Sequence, residues 1–157
     1  MGATLMRRQV VVIVQVESPI AEPVDEGWGE VISRIVLLAE FRPGLLGLED
    51  FSHVTVVTWL HRAAFDPARH LVRRPRGLVS MPEVGIFAQR AKDRPNPLGI
   101  TVVPLLEVRP DSIVVRGLDA IAGTPVVDIK PYFPQYDRAE GFTAPAWVDE
   151  LMRGYFR

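Results

Sequence analysis

The stretch ITVVPLLEVRPDSIVVRGL (100–118) decides the fold, because it reads as two β-strands joined by a tight turn. Its β-branched and apolar residues form two runs of the length and composition typical of strands. Pro110 and Asp111 lie between the runs. Proline presets the first dihedral of a turn and aspartate hydrogen-bonds its own backbone, so a hairpin turn is predicted there. Pro104, inside the first run, predicts a sheet edge or a bulge.

Similar runs occur on both sides of this hairpin, and turn residues separate them. The first 140 residues contain no pattern typical of a long helix. The predicted strands are 9–16, 31–38, 54–60, 84–89, 100–108, 112–118 and 125–129. Short strands at modest spacing are typical of an all-β barrel or sandwich. We expect one compact all-β domain over residues 1–157, a barrel or a sandwich with short loop helices, because this length suits one domain with a sizeable core.

The last segment predicts a C-terminal helix. Thr143 can cap it, Pro145 lies in its first turn and Gly154 lies near its end. Its apolar residues recur every fourth position and form one stripe. Such a stripe predicts that the helix packs on the barrel or on a partner subunit. The stripe consists of Trp147, Leu151 and Tyr155.

Composition excludes several classes of function. The net charge of −1 gives no global attraction for nucleic acid, so any such binding needs a local basic patch. The absence of cysteine excludes disulfides, thiolate nucleophiles and cysteine-bearing zinc sites, and it is consistent with a reducing cytoplasm. The three histidines lack metal-ligand spacing, so no metal is predicted. The apolar run 10–16 is too short to span a membrane, so no membrane partner is predicted either.

The segment GIFAQRAKDRPNPLG (85–99) places polar groups on a stiff loop. Asn96 lies between Pro95 and Pro97, and each proline fixes its own φ and extends the residue before it. Arg90 and Arg94 precede this rigid stretch. Packing alone does not explain arginines and an asparagine on such a backbone, so we predict that they face a ligand.

A second segment, GLDAIAGTPVVDIKPYFPQYD (117–137), has the same character. Asp128, Lys130 and Tyr132 alternate along an extended path, so their side chains should point to one face. This pattern also fits a charge ladder on the surface of a sheet, and that interpretation stays open. Prolines stiffen this stretch as well. Two rigid polar segments in one small domain predict a single site built from both.

These two segments carry a resemblance to a known family. FAQRAKDRPNPLGIT resembles the FATR-x-x-x-RPNPIG-x-S motif of the TsaA-like (TrmO-like) family, and the segment 117–137 resembles its LD-x-x-DGTPVLDIKPY-x-P-x-x-D motif. LEDFSHVTVVTWLHR (48–62) is similar to a third stretch. The resemblance covers about residues 10–137. It implies a β-barrel methyltransferase that uses S-adenosyl-L-methionine, forms a homodimer and methylates the exocyclic amine of threonylcarbamoyl-adenosine beside the anticodon of tRNA.

The resemblance also implies the roles of individual residues. Residues at the matching positions are expected to contact the cofactor: His61, Arg62, Arg90, Arg94, Ile100, Leu118, Asp119, Ala120 and Ile121. Others are expected around the cofactor and the acceptor base, as the catalytic set: Asn96, Asp128, Lys130 and Tyr132. A guanidinium group can form a bidentate contact with the methionine carboxylate, and Arg90 or Arg94 would supply that group. Asp128 or a neighbour would orient the amine or accept its proton.

The chain departs from the family pattern in three places. PVDEGWGEV (23–31) replaces a Pro-Arg-Gln cofactor segment, and Trp28 there is interpreted either as a stacking face or as a packed side chain. Arg62 stands where the family has glutamine. We expect the chain to lack the C-terminal domain of longer members. Any grip on tRNA would then come from the barrel and the dimer, with the arginine loop 69–76 either contacting phosphate or merely solvated.

Two other functions remain open from the sequence. The chain fits a regulatory module that binds S-adenosylmethionine without catalysis, since its net charge gives no general affinity for RNA. It also fits a methyltransferase that acts on another small or RNA substrate. For the tRNA methyltransferase we expect a cytoplasmic location.

Overall fold

The computed structural model describes residues 6–157, and most of its regular structure is β-sheet. The strands are β1 Val14–Glu17, β2 Ile32–Leu37, β3 His53–Trp59, β4 Val72–Arg73, β5 Val84–Gly85, β6 Leu98–Val108, β7 Ser112–Arg116 and β8 Pro125–Pro131. Six of them close into an antiparallel barrel in the order β1-β2-β7-β6-β3-β8, and β8 pairs with β1 to complete it. Strands β4 and β5 form a separate two-stranded sheet. The predicted β-barrel is therefore confirmed.

The helices are all short, as the sequence predicts for the first 140 residues. The α-helices are α1 Pro67–His70, α2 Pro134–Asp137 and α3 Trp147–Leu151. Four 3-10 segments span Ala39–Leu45, Leu48–Asp50, Pro75–Gly77 and Ile86–Ala88. Within residues 6–157, no helix combines the length and the apolar character that crossing a membrane requires.

The hairpin that connects β6 and β7 forms at the predicted turn. The Arg109 N–H donates to the Ser112 carbonyl at 2.8 Å, which closes the chain around the intervening proline and aspartate. The pairing register between β6 and β7 shifts between Leu105 and Glu107. This bulge follows Pro104 directly, so the proline marks a bulge, one of its two predicted meanings.

The barrel encloses one apolar core. Alternate residues of β2 point inward, and Ile35 in its centre is completely buried. Burying an aliphatic side chain of this size contributes about 1.5–3 kcal/mol, so the inward rows of six strands dominate the stability of the fold. Fully buried core residues include Val54, Val56, Ile113, Val115, Leu118 and Val126.

Two strands differ most in extent from the sequence prediction. The run 9–16 becomes a strand only from Val14, because β1 pairs with β8 over just two residues and the chain before it has little sheet to join. The predicted strand 84–89 ends after two residues. From Ile86 the chain turns into a 3-10 segment that carries this side chain into a buried position. Tertiary burial thus overrides the local strand pattern.

The C-terminal helix is shorter than predicted and starts later. It begins at Trp147, and Ala146 precedes it without a side-chain cap, so the prediction of Thr143 as the cap is wrong. Gly154 lies just after the helix with a φ of 80°, a left-handed conformation that favours glycine. We call residues 152–157 the C-terminal tail.

Strand direction places several loops at one end of the barrel, which we call the loop end. β3 ends there and β6 begins there, since Trp59 pairs with Leu98. β8 also begins there, since Thr58 pairs with Val126. β7 ends there, and its Arg116 pairs with the first residue of β2. The loops 18–31, 60–97 and 117–124 therefore share this end, and they contain most of the predicted site residues.

Candidate functional site

The turn that carries His61 and Arg62 lies directly beside the proline-rich loop. The Leu60 N–H donates to the Pro97 carbonyl at 2.7 Å, just beyond the last β3–β6 pair. The Ala63 N–H then donates to the Leu60 carbonyl at 2.9 Å and closes the turn. Two predicted segments, distant in the chain, are thus joined by backbone hydrogen bonds.

Asp93 strengthens the same junction and was not among the predicted site residues. Its carboxylate accepts a hydrogen bond from the Ala64 N–H at 2.9 Å and one from the Lys92 ammonium at 2.9 Å. A second oxygen lies 3.8 Å from the Arg73 guanidinium. Burial acts to raise the pKa of Asp93, but the Ala64 amide and Lys92 outweigh it and hold the pKa below its usual value. In the sequence, the only indication of this role was that Asp93 is a single carboxylate between two basic residues.

Gln89 fixes the start of the 85–99 loop from the inside. Its side chain is buried, and its amide nitrogen donates to the carbonyls of Arg73 and Val84, both at 2.9 Å. Its amide oxygen is buried without a hydrogen-bond partner in the described part of the chain. A side chain that serves two backbone carbonyls holds both segments at a fixed separation, so the rigidity predicted from the prolines has a second source here.

The two arginines of this loop have different environments. Arg94 turns back on its own loop, where one guanidinium nitrogen lies 3.0 Å from the Gln89 carbonyl and 3.5 Å from the Ala91 carbonyl. Arg90 is exposed and donates to the Ile100 carbonyl at 2.6 Å. Among residues 6–157, Arg90 forms no salt bridge. Its positive charge is therefore available to an incoming anion, whereas Arg94 shapes the loop.

Asp119 connects β6 to the loop after β7. One carboxylate oxygen accepts a hydrogen bond from the Thr101 hydroxyl at 2.5 Å, and the other accepts one from the Tyr155 hydroxyl at 2.9 Å. Because Thr101 follows Ile100 directly, the Arg90 and Asp119 contacts meet on adjacent residues of β6. The two predicted segments, 85–101 and 117–121, are thus brought together.

The neighbours of Asp119 are buried in the barrel. Leu118 is 0% exposed, and Ala120 and Ile121 are buried as well. The Ile121 carbonyl accepts the Thr124 hydroxyl at 2.8 Å, which closes the turn before β8. These three residues therefore support the position of Asp119, and their contact with the cofactor stays a prediction.

Tyr155 reaches this site from the C-terminal tail. Burial and the Asp119 carboxylate both raise the pKa of its hydroxyl above the ordinary value of 10.0, so the group remains a hydrogen-bond donor at neutral pH. The Arg76 guanidinium carbon lies 5.5 Å from the centre of the Tyr155 ring, in cation–π distance. The sequence placed Tyr155 in an apolar stripe, and its hydroxyl role could not be read from that spacing.

Asp128 and Lys130 share the outward face of β8, as their alternation predicts. They pair with Val57 and Thr55 of β3, and their side chains form a salt bridge with 2.8 Å between Oδ2 and Nζ. The other Asp128 oxygen accepts the Ile129 N–H at 2.9 Å. The hydrogen bond from Lys130 to Asp128 raises the pKa of the lysine.

The predicted catalytic residues are spread along the barrel. Val57 pairs with both Asp128 and Ile100, so these two lie in one row with Cα atoms about 10 Å apart. Tyr132 lies at the opposite end, where its N–H donates to the His53 carbonyl at 3.1 Å. The length of β3 separates that position from the loop end by about 20 Å. Asn96 remains exposed in the loop-end turn.

The arginine loop 69–76 is largely occupied by internal contacts. Arg73 lies beside Asp93, the Arg74 guanidinium donates to the Met81 carbonyl, and Arg76 pairs with an aspartate at 3.6 Å. Arg69 forms no salt bridge within the described residues. Three of the four guanidinium groups therefore join the loop to other segments of the chain rather than project as a free basic patch.

Trp28 is a packed side chain rather than a stacking face. It is 3% exposed, and its indole N–H donates to the Val24 carbonyl at 3.1 Å. Of its two interpretations, packing is correct. The preceding part of the loop nevertheless reaches the site, because Glu22 forms a salt bridge with Arg62 at 2.7 Å. Residues 6–157 contain no cluster of three histidine or acidic side chains that would hold a metal.

Known proteins match most of this chain in sequence and in fold. The sequence model of the tRNA-methyltransferase O N-terminal domain matches residues 16–138. A probable S-adenosyl-L-methionine-binding protein of Pyrococcus abyssi is 36% identical over 145 residues, which are 86% of this chain and 73% of that protein. A putative S-adenosylmethionine-dependent methyltransferase of Pseudomonas aeruginosa is 47% identical over 118 residues, 68% of this chain and 49% of the relative.

A human tRNA (adenine(37)-N6)-methyltransferase is 38% identical over 101 residues, 64% of this chain and 22% of its own length. The crystal structure of TrmO from P. aeruginosa superimposes with a TM-score of 0.74 at 30% identity, covering 92% of this chain and 63% of that one. The chain thus spans less than two thirds of several longer relatives. The names of the relatives confirm S-adenosylmethionine as the cofactor of the family. Because the family's sequence model covers most of the chain, the chain belongs to the tRNA-methyltransferase O N-terminal domain family, which its two motifs resemble.

Proposed function

We propose that this protein is an S-adenosylmethionine-dependent methyltransferase that modifies the exocyclic amine of threonylcarbamoyl-adenosine in tRNA. The observation that carries the proposal is the junction of Arg90, Ile100 and Asp119 at the loop end. Relatives named as S-adenosylmethionine-binding proteins and as tRNA (adenine(37)-N6)-methyltransferases support the cofactor and the substrate class. A tRNA substrate is also consistent with the cytoplasmic location expected from the sequence.

The chemistry of the loop end suits this cofactor. The Arg90 guanidinium group forms no salt bridge within residues 6–157, so it is better placed than Arg94 to bind the methionine carboxylate. Asp119 offers a carboxylate, which accepts hydrogen bonds from hydroxyl or ammonium groups. Exposed Ile100 and Leu98 offer apolar surface to a purine ring. Cation, carboxylate and apolar surface match the three parts of S-adenosylmethionine.

The protein's own contribution to methyl transfer would be positional. When bound, the cofactor supplies an electrophilic methyl group on a sulfonium. Arg90 and Asp119 would hold it at the loop end, and alignment with the incoming amine provides most of the rate. Asp128 lies in the same row as Ile100 and Lys130 holds its carboxylate in place, so Asp128 would orient the amine.

A homodimer would complete this site, and two observations support it. Tyr132 is about 20 Å from the loop end of its own chain, so Tyr132 would reach a loop end only from a second copy. The outward row of β6 is also apolar and exposed, as expected of a surface that another chain covers. Within this row, Leu98 and Ile100 are assigned to the purine ring, and Val102 and Leu106 remain for a second chain to cover.

The dimer is tested by its mass in solution. Val102→Lys places a charge in the exposed row of β6 and should convert a dimer into a monomer in light scattering. Val79→Lys is the matched control, because Val79 is 92% exposed in a loop outside the barrel. A wild-type monomer, or a dimer unaffected by Val102→Lys, would contradict this face as the interface.

The reaction is tested with labelled cofactor and tRNA from a strain that lacks the equivalent enzyme. Transfer of label to threonylcarbamoyl-adenosine, identified by nucleoside mass spectrometry, is the expected result. Cofactor binding without transfer to any RNA would favour the regulatory module instead. Transfer to a different nucleoside would keep the enzyme class and replace the substrate.

A further inference from the structure

The C-terminal tail forms a wall of the site that lies outside the matched family region. The family match ends at residue 138, whereas the tail occupies 152–157. The Gly27 N–H donates to the Gly154 carbonyl at 3.1 Å, and the Trp28 N–H donates to the Tyr155 carbonyl at 2.9 Å. The tail is therefore fastened to the 23–31 segment, the same segment that departs from the family's Pro-Arg-Gln pattern.

The approach at Gly29 is too close for any side chain. A Cβ atom built at this residue would lie 1.8 Å from the Phe156 carbonyl oxygen. Gly117 in turn has a φ of 80° and lies against the Gly29 backbone, where its own Cβ would be 3.3 Å from the Gly29 oxygen. Two glycines thus allow three backbone segments to meet, one of which leads into Asp119.

The side chain at the centre of this contact is Tyr155. Its ring lies between the Arg76 guanidinium and the Phe156 ring, whose centre is 4.8 Å away. Its hydroxyl donates to Asp119, which accepts its other hydrogen bond from Thr101. Because each oxygen of the Asp119 carboxylate accepts a hydrogen bond from a different hydroxyl group, the carboxylate is held in one orientation. Removing either donor would let it rotate.

We propose that Tyr155 is a positioning residue for Asp119, so that the C-terminal tail helps to set the affinity for the cofactor. This inference rests on the proposed function, since it assigns Asp119 to S-adenosylmethionine. The carboxylate faces the cofactor in a preorganised orientation, and binding then costs less ordering of the site. The tail supplies the hydroxyl that fixes this orientation, and it lies outside the region that the family match covers.

The test is a double-mutant cycle on cofactor binding. We measure the dissociation constant of S-adenosylmethionine by calorimetry for the full chain, Tyr155→Phe, Asp119→Asn and the double variant. Tyr155→Phe should weaken binding at least fivefold. The double variant should bind no more weakly than Asp119→Asn alone, because the tyrosine acts through the aspartate. Tyr136→Phe is the matched control, since Tyr136 is 86% exposed and should bind as the wild type does.

A second comparison separates positioning from general support of the tail. Phe156→Ala loosens the same tail without removing the Tyr155 hydroxyl. If it lowers the melting temperature as much as Tyr155→Phe but weakens binding less, positioning is supported. Equal loss of binding in both variants, or wild-type affinity in Tyr155→Phe, would overturn the inference. Wild-type protein that does not bind the cofactor at all would overturn the proposed function and this inference with it.

Discussion

Replacing Gly29 with alanine should detach the C-terminal tail from the barrel. The new Cβ would lie 1.8 Å from the Phe156 carbonyl oxygen, a distance that real structures do not contain. The obstacle is a backbone atom, so no side-chain rotation relieves the clash. Either the tail or the 27–29 segment must move, and either movement separates the two backbones.

The size of the effect follows from what the movement breaks. Overpacking of this kind costs about 1–3 kcal/mol. The two backbone hydrogen bonds from Gly27 and Trp28 to the tail contribute about 1 kcal/mol each. Together these effects lower the free energy of unfolding by about 3–5 kcal/mol, which for a chain of this size lowers the melting temperature by about 6–20 °C.

The assay combines thermal melting with hydrogen exchange of the Gly27 and Trp28 amides. Both amides should lose protection in Gly29→Ala. Gly44→Ala is the matched control, because nothing lies within 4 Å of its Cβ and the residue is in a 3-10 segment. We expect its melting temperature to stay near that of the wild type. Unchanged melting and full amide protection in Gly29→Ala would refute the docking of the tail.

Substitutions at Arg90, Gln89 and Tyr155 test other contacts of the site. Arg90→Ala should weaken cofactor binding about tenfold or more while the melting temperature stays within about 2 °C, because the side chain is exposed. Arg69→Ala is the control for this variant. If Arg90→Ala lost binding and melting temperature equally, Arg90 would be a structural arginine. Gln89→Leu should lower the free energy of unfolding in urea by about 1–2 kcal/mol, because it leaves two backbone carbonyls without their donor; wild-type stability would show that these bonds contribute little. Folding raises the pKa of Tyr155 above 10.0, so the stabilising effect of the protonated hydroxyl is complete below that pH and declines as the pH rises further. Between about pH 8 and about pH 11, the free energy of unfolding in urea should decline more steeply in the wild type than in Tyr155→Phe. Parallel declines in the two proteins would contradict this prediction.

Much of the fold was predictable because it depends on local pattern. Each barrel strand begins from a β-branched run, and the turn at Pro110 and Asp111 follows from the dihedral preferences of those two residues. The errors lie where burial or missing partners override the pattern, as at Ile86 and before Val14. Thr143 failed as a helix cap because the helix begins beyond its reach, at Trp147.

The candidate site was predictable only as two rigid polar segments. Sequence spacing indicates that Arg90 and Arg94 lie on a stiff loop, but both arginines look alike in the sequence. Only in the folded chain does Arg94 donate to the Gln89 carbonyl of its own loop while Arg90 stays exposed. The contribution of Asp93 was missed for the same reason, because its partner Ala64 is distant in the sequence.

By itself, then, the sequence determined the β-barrel, the two rigid segments and, through their resemblance, the family. These features depend on φ preferences, alternation and residue order, which are local properties. The tertiary structure decided which charges remain available, how far Tyr132 lies from the loop end, and that Tyr155 reaches Asp119 across 36 residues. Those outcomes depend on contacts between distant segments, and their geometry exists only once the barrel has closed.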